Sequence, residues 1–386
     1  MHEWAVSIYP NQTRSAHKSG LPCNTPKVSE SGGTPPRYFV NRVVDPLVIG
    51  LASVLLYGLF RFRPSMAMSP MIVSVGAFLV WGVNYPHFAS TNYRLYHSKE
   101  NVRQYPMTAL VTPLLMGGAI VACFLSPTSI APAFVKLYNL WSPYHFSGQT
   151  LGITMVYARR FGYKLDGWLR RTLTVFIFCT FIFQSARAEV GNVDRTFYGV
   201  TYPSLGIPAW VADVARTAML VAVAAFLVLL AVRMAVARKF VPLMVLLPAF
   251  TQFIWFAATP AGQFTYLVPF FHSMQYLLLA WSLQLKQRLD QRHLVPSRRF
   301  VWSESARWMS INVVGGYIMF WLMPRIGSQF GRSIAFSTAI VLAALQLHHF
   351  FVDGVIWRLR NPGVRSPLGS SLGEVSGRVP VLAAAS

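Results

Sequence analysis

SIAFSTAIVLAALQLHHFFVDGVIW (residues 333–357) decides the fold. At roughly 1.5 Å per residue, a helix of this length crosses a hydrocarbon core about 30 Å thick. Most of the stretch is apolar, and its one acid is Asp353. Its second half nonetheless carries His348, His349 and Asp353, side chains that cost several kcal/mol in hydrocarbon unless they have partners. The stretch therefore predicts both a membrane helix and a reason to look for polar partners on other helices.

The rest of the chain repeats the pattern. The 386 residues are 54% hydrophobic and 12% charged, too apolar and too poor in charge for an ordinary water-soluble domain. Apolar runs fall at roughly 44–60, 70–91, 106–126, 130–157, 170–185, 213–235, 240–260, 264–285, 305–323 and 333–357. They predict an all-α, polytopic membrane bundle of about ten transmembrane helices. An even number of spans puts both termini on one side. Most of the 34 Lys and Arg residues fall on that side, which the positive-inside pattern identifies as cytoplasmic. The net charge of +22 then reads as orientation and contact with anionic head groups, and no nucleic-acid partner is expected. The expected location is the cell (inner) membrane, with the lipid bilayer as partner.

Residues 1–40 are rich in Ser, Pro, Thr and Gly and read as a disordered cytoplasmic arm; residues 361–386 read as a disordered tail. Between them, residues 41–360 read as one transmembrane domain. Cys23, Cys123 and Cys179 show no metal-ligand spacing. The longest external connection, about 185–211, has the aromatics and prolines of an interfacial cap.

Four of the predicted spans contain histidine: His87, His145, His272, and the His348–His349 pair. Residues three or four apart share a helix face. Asn84, His87 and Thr91 make one polar stripe, His145 and Gln149 a second, His272, Gln275 and Tyr276 a third, and Gln346, His349 and Asp353 a fourth. Each imidazole so has a hydrogen-bonding neighbour about a turn away, as a ligand whose second ring nitrogen must be held in place requires. His87, His145, His272, His348 and His349 are the candidate metal ligands. Asn84, Gln149, Gln275, Gln346 and Asp353 are the groups expected to orient them. His348 points about 100° from His349 and has no polar companion on its own face. His2, His17, His97 and His293 lie in the arm or loops and receive no role; Asp166 and Glu304 read as surface ion pairs.

Depth presents a difficulty. Counted from the outer boundary, His272 lies about 13 Å above His87 and His349 on straight helices. Pro86, Pro143 and Pro269 each precede a histidine by one to three residues, so kinked helices can bring the rings to one level. Two separate layers are the alternative.

Two histidine segments, YHFSGQTLG (144–152) and FFHSMQYL (270–277), resemble histidine helices of the Brp/Blh-type bacterial membrane β-carotene dioxygenases. In that family, histidines on separate transmembrane helices hold a non-haem iron that cleaves a carotenoid with dioxygen. The resemblance implies iron-ligand roles for His145 and His272. NYPHFAST and LHHFFVDGVIW stand outside it.

The expectation is a membrane-embedded, histidine-ligated metalloenzyme, a non-haem iron oxygenase or oxidoreductase acting on a lipid-soluble substrate such as a carotenoid, isoprenoid or acyl chain. No carboxylate pair lies within the spans, so an all-imidazole site is expected, with copper or haem as alternatives to iron. The competing expectation is a multi-pass transporter whose His and Gln side chains line a proton or metal-cation pathway.

Overall fold

The computed structural model describes residues 37–165, 167–359 and 362–378. Its main elements in chain order are α1 (Val44–Phe62), α2 (Pro70–Tyr96), α3 (Met107–Leu125), α4 (Ile130–Arg160), α5 (Gly167–Ala188), a hairpin of β1 (Asp194–Phe197) and β2 (Val200–Pro203), α6 (Ala209–Ala237), α7 (Leu243–Phe256), α8 (Val268–Gln291), α9 (Arg298–Tyr317, continuing as far as Ser328) and α10 (Ile334–Ile356). A helix stands over each predicted span. Five of them, α1, α2, α3, α6 and α10, are long and apolar enough to cross a membrane. The other helices are shorter, as α7 is, or interrupt their apolar runs with more polar and charged groups.

Burial identifies the centre of the bundle. The apolar window of α10 is 72% buried, that of α3 only 17%, so α10 is the helix the others surround. It packs on α2, α3, α4 and the end of α9. The outer helices present Leu114, Leu115, Val221, Val228 and Phe78 outward, as lipid-facing surfaces do.

Proline explains the shape of three helices. A helical proline has no N–H to offer the carbonyl four residues back, and its ring crowds that carbonyl. In α2, α3 and the end of α9 the backbone widens into a π turn just beforehand: Val80–Asn84 before Pro86, Met107–Val111 before Pro113, and Ile318–Leu322 before Pro324. There the amides of Tyr85, Thr112 and Met323 bond five residues back, to the Val80, Met107 and Ile318 carbonyls. The first of these turns lies immediately ahead of His87.

Small residues let two helix pairs approach closely. A Cβ on Gly316 would come within 2.9 Å of the Tyr85 carbonyl carbon, so α9 can press against α2 where α2 widens. A Cβ on Gly50 would meet Thr251 Oγ1 at 2.1 Å, which fixes α1 against α7. Gly50 lies in a fourth π turn, Leu47–Leu51, whose Ile49 carbonyl accepts from Gln275 Nε2 at 2.5 Å.

The connection between α5 and α6 forms the β1–β2 hairpin, paired antiparallel with Phe197 opposite Val200. Tyr198 and Gly199 both have positive φ, at 45° and 81°, as a two-residue type I′ turn requires. The buried ion pair of Lys136 with Glu189, and the bond from Leu205 N to Glu189 at 2.7 Å, fasten the connection to α4.

Both chain ends are more ordered near the bundle than their composition suggests. Asp45 is fully buried and accepts from the Phe39 and Val40 amides at 2.6 and 2.9 Å and from Tyr157 OH at 2.9 Å. Arg160, also buried, donates to the Leu368 and Tyr38 carbonyls at 2.5 and 2.7 Å. Residues 37–40 therefore belong to the packed body rather than to a disordered arm. Within the predicted tail, residues 362–378 form short turns of helix, with Val364, Leu368 and Val375 buried and a Ser371–Glu374 capping box. The ordering comes from single buried ionic groups bonding to backbone, which no apolar periodicity announces. The arm from 1 to 36 with His2, His17 and Cys23, the loop residue Asp166, and residues 379–386 lie outside the described residues. Glu304 differs from the surface pair expected: it is 8% exposed and accepts from Arg307 and from Gln284 Nε2 between α8 and α9.

Candidate metal centre

Four helices deliver one imidazole each to the same place. His87 comes from α2, His145 from α4, His272 from α8 and His349 from α10, and all four are buried. Their ring centroids form a closed circuit: His87 to His349 4.5 Å, His349 to His145 4.9 Å, His145 to His272 5.4 Å and His272 to His87 5.3 Å. The rings make one cluster rather than two layers. Two local features level them. The π turn and Pro86 redirect α2 just before His87. α8 starts only at Val268, after a 3-10 turn over Gly262–Leu267, so His272 sits near the beginning of its helix.

Proton bookkeeping fixes two tautomers. Ser273 Oγ donates its single proton to Asn84 Oδ1 at 2.7 Å. Towards His87 Nδ1, 3.0 Å away, it can therefore only accept, so Nδ1 carries the hydrogen and Nε2 is a bare lone pair. Thr91 Oγ1 likewise donates to Asp353 Oδ1 at 3.1 Å and accepts from His349 Nδ1 at 2.9 Å. Tyr276 OH lies 2.6 Å from Thr91 Oγ1 and 3.2 Å from Asp353 Oδ1, completing the support of that carboxylate. His349 Nε2 is thus a second bare lone pair.

These lone pairs converge. His349 Nε2 lies 3.2 Å from Asp353 Oδ2, and His145 Nε2 lies 3.9 Å from the same oxygen. Ligand atoms of His87, His349 and Asp353 all fall within 4.8 Å of one another. None of the Nε2 atoms of His87, His145, His272 and His349 has a hydrogen-bond partner, although all are buried. The bare lone pairs of His87 and His349, buried beside a carboxylate, are mutually repulsive and unsatisfied. A cation between them would remove both costs, and neutral imidazoles held through their other nitrogen are the form in which histidine binds metal.

The supporting groups differ from the sequence expectation. Each imidazole was expected to find support on its own helix; His87 finds it in Ser273 of α8, and His349 in Thr91 of α2. Asn84 acts on His87 only through Ser273. Gln149 donates to the His272 carbonyl at 2.9 Å and to Gln275 Oε1 at 3.4 Å, and Gln275 donates to Ile49, so this pair ties backbones together and touches no imidazole nitrogen. Gln346 lies apart, in a cavity wall with Tyr138. Asp353 is itself within ligand distance of the cluster, where only an orienting role was expected, so the donor set is not all imidazole. His348 is buried, but among the described residues no ring contact joins it to the other four. Ser273 had no signal in the sequence, because its meaning depends on where α2 and α8 cross.

His145 and His272 are held differently. His145 stacks on Phe350 at 4.4 Å and 21°, and His272 on Phe146 at 3.8 Å and 6°. Neither ring nitrogen of His272 has a hydrogen-bond partner.

Two cavities adjoin the cluster. One, about 300 Å³, lies between α4 and α10 with His145 and Asp353 in its wall. The other, about 190 Å³, lies under the β1–β2 hairpin, with His272, Asn84, Phe197 and Tyr198 in its wall. Phe350 belongs to both. Compared with known proteins, the chain matches no family model, no curated protein and no solved structure.

Proposed function

We propose that the chain is a multi-pass membrane metalloprotein whose buried cluster holds a redox metal, iron before copper, and that it acts as an oxidoreductase on a lipid-soluble substrate. In this reading all ten main helices span the inner cell membrane and both termini are cytoplasmic. The observation that carries the reading is the convergence of two imidazoles, each fixed with its hydrogen on Nδ1, on one buried carboxylate. Two histidines and a carboxylate with open positions are the donor set of non-haem iron oxygenases, and this favours iron over the copper that an all-imidazole site would equally suit. The edge contacts among the four rings leave no flat slot for a porphyrin, which argues against haem. The likeness of the His145 and His272 segments to the carotenoid dioxygenases points the same way.

A bound iron or copper would supply one-electron chemistry at this point. The chain's own residues do the rest. Thr91, Tyr276 and Ser273 hold the ligand atoms in orientation, and Phe88, Phe146 and Phe350 exclude water from around the imidazoles. The test is metal content and visible spectrum of detergent-purified protein beside His349→Ala. Near-stoichiometric iron or copper, lost in the variant, is the expected result. Absence of metal in the wild type after reconstitution with Fe²⁺, Cu²⁺ and Zn²⁺ would end the metalloenzyme reading.

One observation favours a second reading. The two cavities share Phe350 and flank the cluster, as the halves of a cation pathway would. Metal-ion flux into proteoliposomes, blocked by His349→Ala, would support a transporter instead.

A further inference from the structure

The cavity between α4 and α10 has an uneven chemistry. Its wall is mostly apolar, and three of its residues are glycines: Gly148 and Gly152, one turn apart on α4, and Gly354 on α10. A Cβ at any of the three would meet no atom within 4 Å, so their missing side chains leave free volume rather than accommodate a neighbouring helix. Tyr144, Gly148 and Gly354 are exposed, and the first two lie mid-way along α4. The cavity therefore opens through the side of the bundle. An opening there faces hydrocarbon if α4 spans a bilayer.

The inner end is polar and holds an acceptor without a donor. Gln149 lies one turn from His145 on the same face of α4. Its Nε2 is identified by its partners, since the His272 carbonyl and Gln275 Oε1 both require a donor. Its Oε1 is therefore the remaining atom, and it is buried with no donor to satisfy it. His145, 8% exposed, adds an unpartnered Nε2, and Asp353 adds a carboxylate. The donors at this end are the phenol of Tyr276, shared between Thr91 and Asp353, and the buried indole Nε1 of Trp357.

We infer that this cavity binds a lipid alcohol: a single apolar chain that enters sideways between α4 and α10, lies along the glycine track, and places its hydroxyl against Gln149 Oε1 beside the metal cluster. A hydroxyl donates to the unpartnered Gln149 Oε1 and can accept in turn, whereas a carboxylate of the same chain would only accept and would bring a second negative group towards Asp353. This inference deepens the oxidoreductase reading by naming its substrate class, and it rests on that reading for the chemistry but not for the binding.

The experiment is photo-cross-linking of the full-length protein in nanodiscs, with a diazirine-bearing hexadecanol and the diazirine-bearing palmitic acid of the same chain. Metal content is measured on the same samples. The expected result is cross-linking to cavity residues Trp141 and Leu279, with the alcohol exceeding the acid by about five- to tenfold, the effect of one hydrogen bond. Gly152→Leu should abolish those cross-links and leave the metal content unchanged, and Gln149→Leu should erase the preference for the alcohol. Equal or better labelling by the acid in wild-type protein would overturn the proposal without need of any variant. So would cross-links scattered over the outer helices and indifferent to Gly152→Leu. Cavity labelling in a protein that binds no metal would leave this site standing and remove the metalloenzyme reading; metal without cavity labelling would do the reverse.

Discussion

His87 and His349 differ from His145 and His272 in what holds them. The first two are locked by hydroxyls, Ser273 and Thr91, that dictate which nitrogen carries the hydrogen. The second two lie flat against phenyl rings, which fix a plane but choose no tautomer. The difference suggests a division of labour. Under the metalloprotein proposal, the hydroxyl-locked pair with Asp353 would be the permanent grip on the metal, and the stacked pair would be free to bind, release or rotate. It also separates two kinds of clue, because the segments resembling a known family carry the stacked pair, while the geometry singles out the locked one.

The comparison can be broken in order of size. His349→Ala and Asp353→Asn should each abolish stoichiometric metal, because they remove a ligand from the gripping set; metal analysis after gel filtration checks this. Thr91→Val should keep the fold and lower metal affinity by about 10–100-fold, the usual effect of losing the group that orients a ligand. Competition with a chelator reads it. His272→Ala should cost less than that roughly tenfold lower bound. If His272→Ala proves as severe as His349→Ala, the division of labour is wrong. The smallest effect is on the frame: Gly316→Val should overpack the α2–α9 contact beneath the π turn and destabilise the protein by about 1–3 kcal/mol, read as a lowered unfolding midpoint in detergent.

Much of this was legible in the sequence, and the reasons are specific. The apolar runs located every main helix because a chain that avoids water shows its helix lengths directly. The scarcity of polar groups within those runs made His87, His145, His272 and His349 visible. What stayed hidden was any relation between helices. Thr91 could be placed on a polar stripe with His87, yet it serves His349, because α2 and α10 cross there. Ser273 carried no signal, since its partner His87 lies on another helix. Asp353 was placed one turn from His349 correctly, but its approach to His145 depends on α4, some two hundred residues earlier in the chain. The packed stretch 362–378 was missed because its buried apolar residues, Val364, Leu368 and Val375, are too sparse to make a periodic run, and Arg160 holds its backbone.

The π turn at Val80–Asn84 sets which way the rest of α2 faces. Such a turn is the mark of a single inserted residue, accommodated without breaking the helix. Everything after it is re-phased by about 100° relative to everything before. Deleting one residue between 80 and 84 would let α2 run on as a regular helix and swing His87, Ser90 and Thr91 together to a different side of it. The facing of His87 and Thr91 into the cluster thus depends on a single residue of extra backbone in α2.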